Sequence, residues 1–351
     1  MRLLIITQKI DEGDPILGFF HSWIAEFAKH CGEVTAIGLS VGTHHLPKNV
    51  RVFSLGKERG SSPLSMLWNF YRLIFREQKN YDAVFVHMNP EYVIVGGIPW
   101  KMMRKKIGLW YTHKNVDGKL RLAAHGADII FTASKESFRL STPKCKVVGH
   151  GIDTGRFGGI KHILPGGLFR ISSIGRLSRT KDYGVLLRAL QFLRNEKIPI
   201  RAEIVGDPIT ADDKTYANEL KAEIFHRGLT ETILVGGIPN AQIDVYLAKA
   251  DLFVNMSQTG SLDKAVLEAM AAGIPVLTSN EGLRSTLAGF EQTSLFNEGD
   301  AKDFSEHIRM FMHMSERERQ LLGEKLRGIV EKNHNLKTLI PRIVTMLRPT
   351  I

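Results

Sequence analysis

The sequence predicts an α/β protein made of two consecutive Rossmann-like domains, each built on a doubly wound parallel sheet. Short apolar segments rich in β-branched residues alternate with longer segments of helical periodicity, as in strands joined by crossover helices. This series stops near residue 150 and then restarts. The length of 351 residues suits two cores of about 150 residues each.

The first series predicts an N-terminal domain over residues 1–149. Its helical patterns begin near Ile16, Pro63 and Tyr92. The predicted strands are Arg2–Thr7, Val34–Leu39, Arg51–Leu55, Asp82–His87, Ile107–Thr112 and Asp128–Ala133. Because open parallel sheets bind ligands beyond the carboxyl ends of their strands, functional side chains should lie just after these segments.

The second series predicts a domain over residues 168–334, after a linker over residues 150–167. The linker is rich in Gly, His and charged residues and has no clear period, as is typical of a connection between domains. The predicted strands are Phe169–Ile174, Arg201–Val205, Thr232–Val235, Leu252–Met256 and Pro275–Thr278. A charged helical tail follows, with its last helix at residues 335–351.

The net charge of +11 is concentrated in the first half of the chain. Residues 1–150 contain 21 Lys and Arg against 12 Asp and Glu, and the remainder contains 26 against 24. This asymmetry indicates an anionic partner, such as a membrane surface or a lipid diphosphate, or else a solvated basic face. No helix-turn-helix or RNA-binding pattern accompanies the charge, so nucleic acid is not an expected partner.

The predicted location is the cytoplasm, either free or peripheral on the inner face of the membrane. Apolar runs are shorter than the roughly 18 residues of a spanning helix, and the N-terminus lacks the features of a signal peptide. The two cysteines, Cys31 and Cys145, fit a reducing compartment. The segment WKMMRKK (residues 100–106) either contacts an anionic membrane or contributes Trp100 and Met103 to the core.

A basic loop, IGRLSRTKD (residues 174–182), opens the second domain between a strand and a helix. Gly175 allows close approach of the backbone to a ligand. Arg176 offers a rigid fork of donors and Lys181 a compact charge, and both suit a diphosphate. The start of the following helix adds to this attraction. The alternative is an ordinary solvated loop.

A second motif, NMSQTGSLDKAVLEAMAAGIPVL (residues 255–277), runs from a strand through a polar loop into a helix and a further strand. Its Thr-Gly-Ser turn exposes backbone amides at a helix N-terminus, which attracts anions. Glu268 lies in the mostly apolar helix and suits hydrogen bonding to ribose hydroxyls. The alternative is a glutamate on the exposed face of that helix.

Together, IGRLSRTKD and TGSLDKAVLEAMAAGIPVL resemble the donor-binding half of the GT-B glycosyltransferases of family 4. IVGD (204–207), VGGIP (235–239) and NEGD (297–300) follow the order of that family, and GHGIDTGRF (149–157) resembles its hinge. The resemblance implies two Rossmann-like domains facing a cleft, with the C-terminal helix returning to the first domain. It also implies a nucleotide diphosphate sugar, UDP- or GDP-linked, as substrate and no cofactor.

By this resemblance, Arg176 and Lys181 hold the donor diphosphate and stabilise the leaving nucleotide. Their positive charge takes the place of a metal ion. Glu268 holds the ribose, and Ile238 lies against the base. No metal site is expected, because no Asp-x-Asp pair is suitably placed. The implied donor-binding set is Gly175, Gly206, Ile238, Thr259, Gly260, Ser261, Leu262, Asp263 and Glu268.

One position departs from the family pattern. The family usually carries a second Glu eight positions before Glu268, and this chain has Gly260 there. Asp263, three residues further on, is a partial replacement. The missing carboxylate normally meets hydroxyls of the donor sugar, so the departure leaves the identity of that sugar open.

In the first domain, His113 directly follows a predicted strand and has the place of the family's cleft histidine, which meets the transferred sugar. The alternative is a structural histidine. The first βα loop should line the acceptor side, with Asp14, Gly18 and His21 as candidate contacts. The Gly-Gly pair that the family often carries in this loop is missing.

The predicted function is a retaining, metal-independent glycosyltransferase of the hexosyl type. Its acceptor would be a glycan, a lipid-linked sugar or a small molecule. One alternative, favoured by Gly260, is a catalytically silent subunit that binds a nucleotide sugar, and another is a GT-B sugar-nucleotide epimerase. A nicotinamide dehydrogenase is disfavoured because no GxGxxG follows the first strand.

Overall fold

The computed structural model describes residues 1–163, 167–194, 199–258 and 260–349. It divides the chain into two units. Unit 1 comprises Met1–Gly151, Pro239–Ala241 and His334–Ile351, and unit 2 comprises Ile152–Ile238 and Gln242–Asn333. The predicted linker contains a short helix whose N-cap is Asp153. The domain boundaries at residues 149, 167 and 334 stay predictions.

Unit 1 contains a parallel sheet whose described strands follow the order β3-β2-β1-β4-β5-β6-β7. The strands are β1 (Arg2–Ile10), β2 (Glu33–Val41), β3 (Val50–Ser54), β4 (Ala83–His87), β5 (Lys106–Trp110), β6 (Ile129–Thr132) and β7 (Cys145–Val147). The connecting helices are α1 (Phe19–His30), α2 (Pro63–Arg76), α3 (Pro90–Met102) and α4 (Gly118–Gly126). The central strands are apolar on both faces because helices cover the sheet on both sides.

Unit 2 has a second parallel sheet, in the order β10-β9-β8-β11-β12. Its strands are β8 (Phe169–Ile174), β9 (Ile200–Val205), β10 (Thr232–Gly236), β11 (Leu252–Asn255) and β12 (Val276–Thr278). Its helices are α5 (Thr154–Gly158), α6 (Tyr183–Phe192), α7 (Ala211–His226), α8 (Ile243–Leu247), α9 (Lys264–Ala271), α10 (Glu291–Ser294), α11 (Ala301–His313) and α12 (Glu316–Asn333).

The predicted fold class, two doubly wound parallel-sheet domains, is confirmed. In each sheet the strand order reverses beside the first strand, between β1 and β4 and between β8 and β11. Ligands of such sheets bind at this switch point, beyond the carboxyl ends of the strands. The loops after these strands are therefore where a ligand of each unit is expected.

The last helix, α13 (Leu336–Leu347), belongs to unit 1, as expected. It packs against α1 and β5. A methyl group at Gly108 of β5 would lie 2.7 Å from Leu347 Cδ2, so the side chain of Leu347 lies directly against the backbone of β5. The last helix thus completes the core of the first unit.

Three histidines are buried in unit 1, and two of them, His87 and His334, have strongly lowered pKa values. The ring of His87 stacks on Phe20 at 3.9 Å between centroids, and its Nδ1 lies 3.2 Å from Thr7 Oγ1. His334 Nδ1 accepts the backbone N–H of His150 at 2.9 Å. Burial lowers the pKa of His87 to about 3 and that of His334 to about 4. Both rings are therefore neutral near pH 7.

The buried histidines predict that acid destabilises unit 1. The unfolded chain protonates a histidine near pH 6.5, whereas the fold resists protonation until about pH 3 for His87 and about pH 4 for His334. Stability is therefore full above about pH 6.5 and falls below it, by about 1.4 kcal/mol per pH unit for each ring. Urea titrations between pH 7 and pH 5 should show this dependence of the unfolding free energy on pH. His87→Gln should remove the part of the slope that His87 contributes.

The matched control is His125→Gln, since His125 is exposed on α4 of the same unit. This variant should retain the full pH slope. An unchanged slope in the His87→Gln protein would contradict the assignment of acid sensitivity to this ring.

Candidate functional site

The strongest site candidate lies at the switch point of unit 2, where the loops after β8 and β11 meet. Gln258 joins them twice: its backbone N–H donates to the Thr180 carbonyl at 3.0 Å, and its Nε2 donates to Asp182 Oδ2 at 3.0 Å. Two segments that are about 80 residues apart in sequence are therefore neighbours. These segments are the two motifs that sequence analysis singled out.

The backbone at Gly175 is fixed by its surroundings. Its carbonyl accepts the Tyr183 hydroxyl at 3.0 Å, and its N–H donates to the Val205 carbonyl at 2.9 Å. Gly206 has a φ of +148°, and any side chain there would collide with the Gly175 carbonyl. Glycine at 206 therefore lets the strand end lie directly against the basic loop.

Lys181 forms an ion pair with Asp263, which is the N-cap residue of α9. The side chains are only 17% and 10% exposed. Asp263 Oδ2 also accepts Asn255 Nδ2 at 3.0 Å, and Oδ1 accepts the Ala265 N–H at 3.3 Å. Burial opposes ionisation of Asp263, but Lys181 and these hydrogen bonds outweigh it and lower its pKa. A charged lysine is thus held at the junction of the two loops.

A third loop, after β12, supports this arrangement. The Thr278 hydroxyl donates to Asn255 Oδ1 at 3.1 Å, and Asn280 Nδ2 donates to the Ser261 carbonyl at 2.8 Å. All three side chains that link the loops, those of Asn255, Thr278 and Asn280, are buried. Sequence analysis missed them, although a polar residue at the end of a buried strand is a signal that could have found Asn255.

Arg176 lies on the same basic loop and is 43% exposed. Its Nε is 3.6 Å from Asp213 Oδ2. Burial opposes ionisation of Asp213, but backbone N–H groups of Thr210 and Ile209, the Thr210 hydroxyl and the Arg176 charge lower its pKa. The guanidinium is therefore oriented by a carboxylate while much of its surface can meet an anion from solvent.

Glu268 is buried on α9 and pairs with Lys264 one turn earlier. The alternative of an exposed helix face is therefore wrong, because α9 is covered on nearly all sides. Ser261 and Leu262 are also buried, and Ile238 is partly buried after β10. Thr259 lies outside the described residues.

Gly260, which stands where the family usually has Glu, has a φ of +59°. This left-handed conformation favours glycine over residues with a side chain. The neighbouring backbone is also close, since a methyl group at Gly282 would lie 2.9 Å from the Gly260 carbonyl carbon. The turn before α9 is therefore built around glycine, and the carboxylate of this motif is that of Asp263.

The predicted acceptor-side residues of unit 1 have local partners. Asp14 Oδ1 accepts the N–H groups of Ile16 and Leu17, and Oδ2 pairs with Lys9 at 2.7 Å. A methyl group at Gly18, the N-cap of α1, would lie 2.5 Å from the Asp14 carbonyl. These two residues shape the loop before α1, and their contact with an acceptor stays a prediction.

The two candidate histidines of unit 1 differ in environment. Burial lowers the pKa of His21, nearby His44 and His45 add to this, and Glu12 opposes it. His21 Nε2 accepts the His45 N–H at 3.1 Å. His113 is exposed after β5, and its Nδ1 accepts the Asn115 N–H at 3.1 Å. The neutral ring of His113 therefore carries its proton on Nε2, where it can donate to a ligand.

The described residues offer neither a cluster of metal-binding side chains nor a membrane-spanning helix. No group of three or more His, Cys, Asp or Glu side chains in this part of the chain could hold a metal ion. None of its helices is both long enough and apolar enough to cross a bilayer.

Comparison with known proteins supports the resemblance of the donor half. Residues 160–327 match the family model described as glycosyl transferases group 1. This range contains both motifs and the ion pair of Lys181 with Asp263.

Two curated relatives are glycosyltransferases. The putative teichuronic acid biosynthesis glycosyltransferase TuaC of Bacillus subtilis is 31% identical over 140 residues, covering 40% of this chain and 32% of the relative. The N-acetylgalactosamine-N,N'-diacetylbacillosaminyl-diphospho-undecaprenol 4-alpha-N-acetylgalactosaminyltransferase of Campylobacter jejuni is 27% identical over 184 residues, covering 50% of this chain and 47% of the relative. The chain spans about a third to a half of the length of the curated relatives it matches.

Among solved structures, Anabaena HepE in complex with UDP superposes with a TM-score of 0.78 at 19% identity, covering 99% of both chains. At this identity the likeness concerns the fold, which is the GT-B arrangement of two Rossmann-like domains. Fold, motifs and family model agree. The chain has a GT-B fold, and its segment 160–327 is similar to the glycosyl transferases group 1 family.

Proposed function

We propose that this protein is a retaining glycosyltransferase of family 4 that needs no metal ion or cofactor. The donor is a nucleotide diphosphate hexose, UDP- or GDP-linked, and the acceptor is a glycan, a lipid-linked sugar or a small molecule. The observation that carries the proposal is the placement of Lys181 and Arg176 at the switch point of a unit that matches group 1 transferases.

The two cations suit the leaving nucleotide. Lys181 supplies a compact charge that Asp263 and Asn255 hold in place, and Arg176 supplies a planar fork with half of its surface in solvent. Such fixed charges stabilise the negative charge that develops on a departing diphosphate. Gly175 and Gly206 have no side chains, which allows the phosphates to approach the backbone of this loop closely.

The remaining donor contacts follow the family pattern. Glu268, held by Lys264, binds the ribose hydroxyls, and Ile238 lies against the base. The amides around Gly260, Ser261 and Leu262 face the phosphates or the sugar. The solved relative HepE was crystallised with UDP, which makes UDP and its sugars the first donors to test.

The chemistry proposed is substitution at the anomeric carbon with retained configuration. The acceptor oxygen forms a bond to that carbon on the face from which the phosphate oxygen leaves. The hydroxyl proton passes to the departing diphosphate, so no protein nucleophile is required. His113 contacts the transferred sugar, and Asp14, Gly18 and His21 line the acceptor side. The protein contributes orientation and fixed charge.

The acceptor and the location are inferred from one relative and from the charge of the first half of the chain. The Campylobacter relative is named for a substrate linked to diphospho-undecaprenol, and the excess of Lys and Arg in residues 1–150 suits an anionic lipid. We therefore place the enzyme in the cytoplasm, peripherally on the inner face of the membrane.

A catalytically silent nucleotide-sugar-binding subunit is the second candidate. Gly260 favours it, because the carboxylate that usually meets the donor sugar is replaced at this position. Hydrolysis or transfer of a donor sugar by the purified protein would exclude it. Release of a free epimer without acceptor would instead identify an epimerase.

The diphosphate assignment predicts that Lys181→Ala weakens nucleotide binding by about a hundredfold. UDP or GDP should raise the melting temperature of the wild-type protein, because a ligand that binds only the folded state stabilises it. The variant should lose this shift, and turnover of the matching nucleotide sugar should fall by about a hundredfold or more. Differential scanning fluorimetry and nucleotide-release assays measure the two effects.

Lys221→Ala is the control for this experiment, since Lys221 is an exposed residue of α7 in the same unit. It should retain both the shift and the turnover. A Lys181→Ala protein that still binds nucleotide and transfers sugar at a near-normal rate would refute the assignment.

Asp263 is predicted to act through Lys181. Asp263→Asn removes the charge that orients Lys181, so nucleotide affinity should fall by about tenfold, equivalent to about 1.4 kcal/mol. If Asp263 acts only through Lys181, adding Asp263→Asn to the Lys181→Ala protein should cause little further loss of affinity, whereas independent contributions would add. Isothermal titration with UDP or GDP measures the nucleotide affinity of the wild type, the two single variants and the double variant.

The control for this cycle is Asp300→Asn. Asp300 is also a helix N-cap of unit 2, at α11, where its Oδ1 accepts the N–H groups of Lys302 and Asp303. Asparagine keeps a capping oxygen, so this variant makes the same change of charge at a cap outside the site and should leave nucleotide affinity unchanged. Additive effects of Asp263→Asn and Lys181→Ala would contradict the positioning role.

A further inference from the structure

Helix α2 exposes an apolar face to solvent in addition to the face that it buries. Phe70, Leu73 and Ile74 point into the core. At helical spacing on another side, Leu64 is 80% exposed and Trp68 is 70% exposed. Leu67 and Phe75 extend this exposed stripe along the helix. The described residues of unit 1 leave the stripe uncovered.

Helix α3 also exposes apolar side chains. Phe70 of α2 packs against Tyr92 and Trp100 of α3, and the Tyr71 hydroxyl donates to the Val95 carbonyl at 3.1 Å. The helices are therefore neighbours. On α3, Ile98 and Met102 are one turn apart and more than 70% exposed. The α2–α3 patch is defined as Leu64, Leu67, Trp68, Phe75, Ile98 and Met102.

Positive charge surrounds the α2–α3 patch. Residues 63–106 contain seven Lys and Arg against three Asp and Glu, a net charge of +4. The three acids are paired: Glu77 with Arg51 and Arg76, Asp82 with Arg2, and Glu91 with Lys119. Three cations on or next to the two helices are exposed, namely Arg72, Lys101 and Arg104.

We infer that the α2–α3 patch is a membrane-docking surface that binds an anionic lipid bilayer. Exposed aliphatic and aromatic side chains partition into the interface between headgroups and acyl chains, where tryptophan is favoured. The flanking cations meet lipid phosphates. A lone apolar patch would suit many partners, but the surrounding positive charge selects an anionic surface.

This surface includes Met102, Lys101 and Arg104 of the sequence motif WKMMRKK but not its tryptophan. Trp100 is fully buried against Phe70, so it cannot contact lipid. Trp68 of α2 takes that role. The inference does not depend on the donor site, because the two are in different units. It adds the surface by which the proposed transferase would reach a lipid-linked acceptor.

The chain contains its own spectroscopic probe for this test. Of its four tryptophans, Trp23, Trp100 and Trp110 are at most 1% exposed, whereas Trp68 is 70% exposed. Mixing the full chain with phosphatidylcholine vesicles that contain phosphatidylglycerol should shift tryptophan emission to the blue as Trp68 leaves water. Vesicles of phosphatidylcholine alone should give little shift, and added salt should weaken it.

Vesicle co-sedimentation with variants tests the surface itself. Leu64→Gln combined with Ile98→Gln should reduce vesicle affinity by about tenfold or more. Arg72→Gln and Lys101→Gln should each reduce it roughly fivefold. The control is Phe225→Gln, because Phe225 is 83% exposed on α7 of unit 2, where acids outnumber cations. Its binding should equal that of the wild type.

Three results would overturn the inference. The first is a failure of the wild-type protein to sediment with anionic vesicles. The second is equal binding by the Leu64→Gln, Ile98→Gln protein, with thermal melts showing that it is folded. The third is a blue shift that grows with protein concentration in the absence of vesicles, since this would make the patch an interface between copies. Each outcome is independent of nucleotide binding, which separates it from a failure of the proposed function.

Discussion

The ion pair between Lys181 and Asp263 is the contact on which the candidate site of unit 2 depends. One carboxylate caps helix α9, receives the amide of Asn255 at the end of β11 and holds the ammonium group of the loop after β8. Because it is nearly enclosed, removing either charge would leave the other unpaired in a poorly solvated place. A strand end, a helix start and a neighbouring loop thus share one electrostatic centre.

Sequence periodicity predicted most of the fold, because strands of parallel sheets are buried on both faces and therefore form continuous apolar runs. Strand β7 and helix α4 escaped prediction. The first has only three residues (Cys145–Val147), and the second (Gly118–Gly126) has a glycine at each end and no pronounced apolar stripe. The order of strands, with its reversal beside β1 and β8, results from crossover connections that local patterns do not encode.

Site residues could be predicted where the functional groups lie within one segment of the sequence. Contacts between two distant segments could not. The basic loop with Arg176 and Lys181 was recognisable from its own residues. The pairing of Lys181 with Asp263 was not, since it follows from the adjacency of β8 and β11. Glu268 could equally have been a surface residue until the burial of α9 was known. The conformation of Gly260 is likewise a property of the folded turn.

Helix α13 has a consequence for the order in which the protein is made. It follows the whole of unit 2 in sequence, yet it fills a place against α1 and β5 of unit 1. During synthesis the strands and helices of unit 1 leave the ribosome first, but Gly108 and its neighbours remain without their covering helix until residues 336–347 have emerged. The earliest unit to be translated is therefore the last to be completed, and exposed apolar surface persists on it meanwhile.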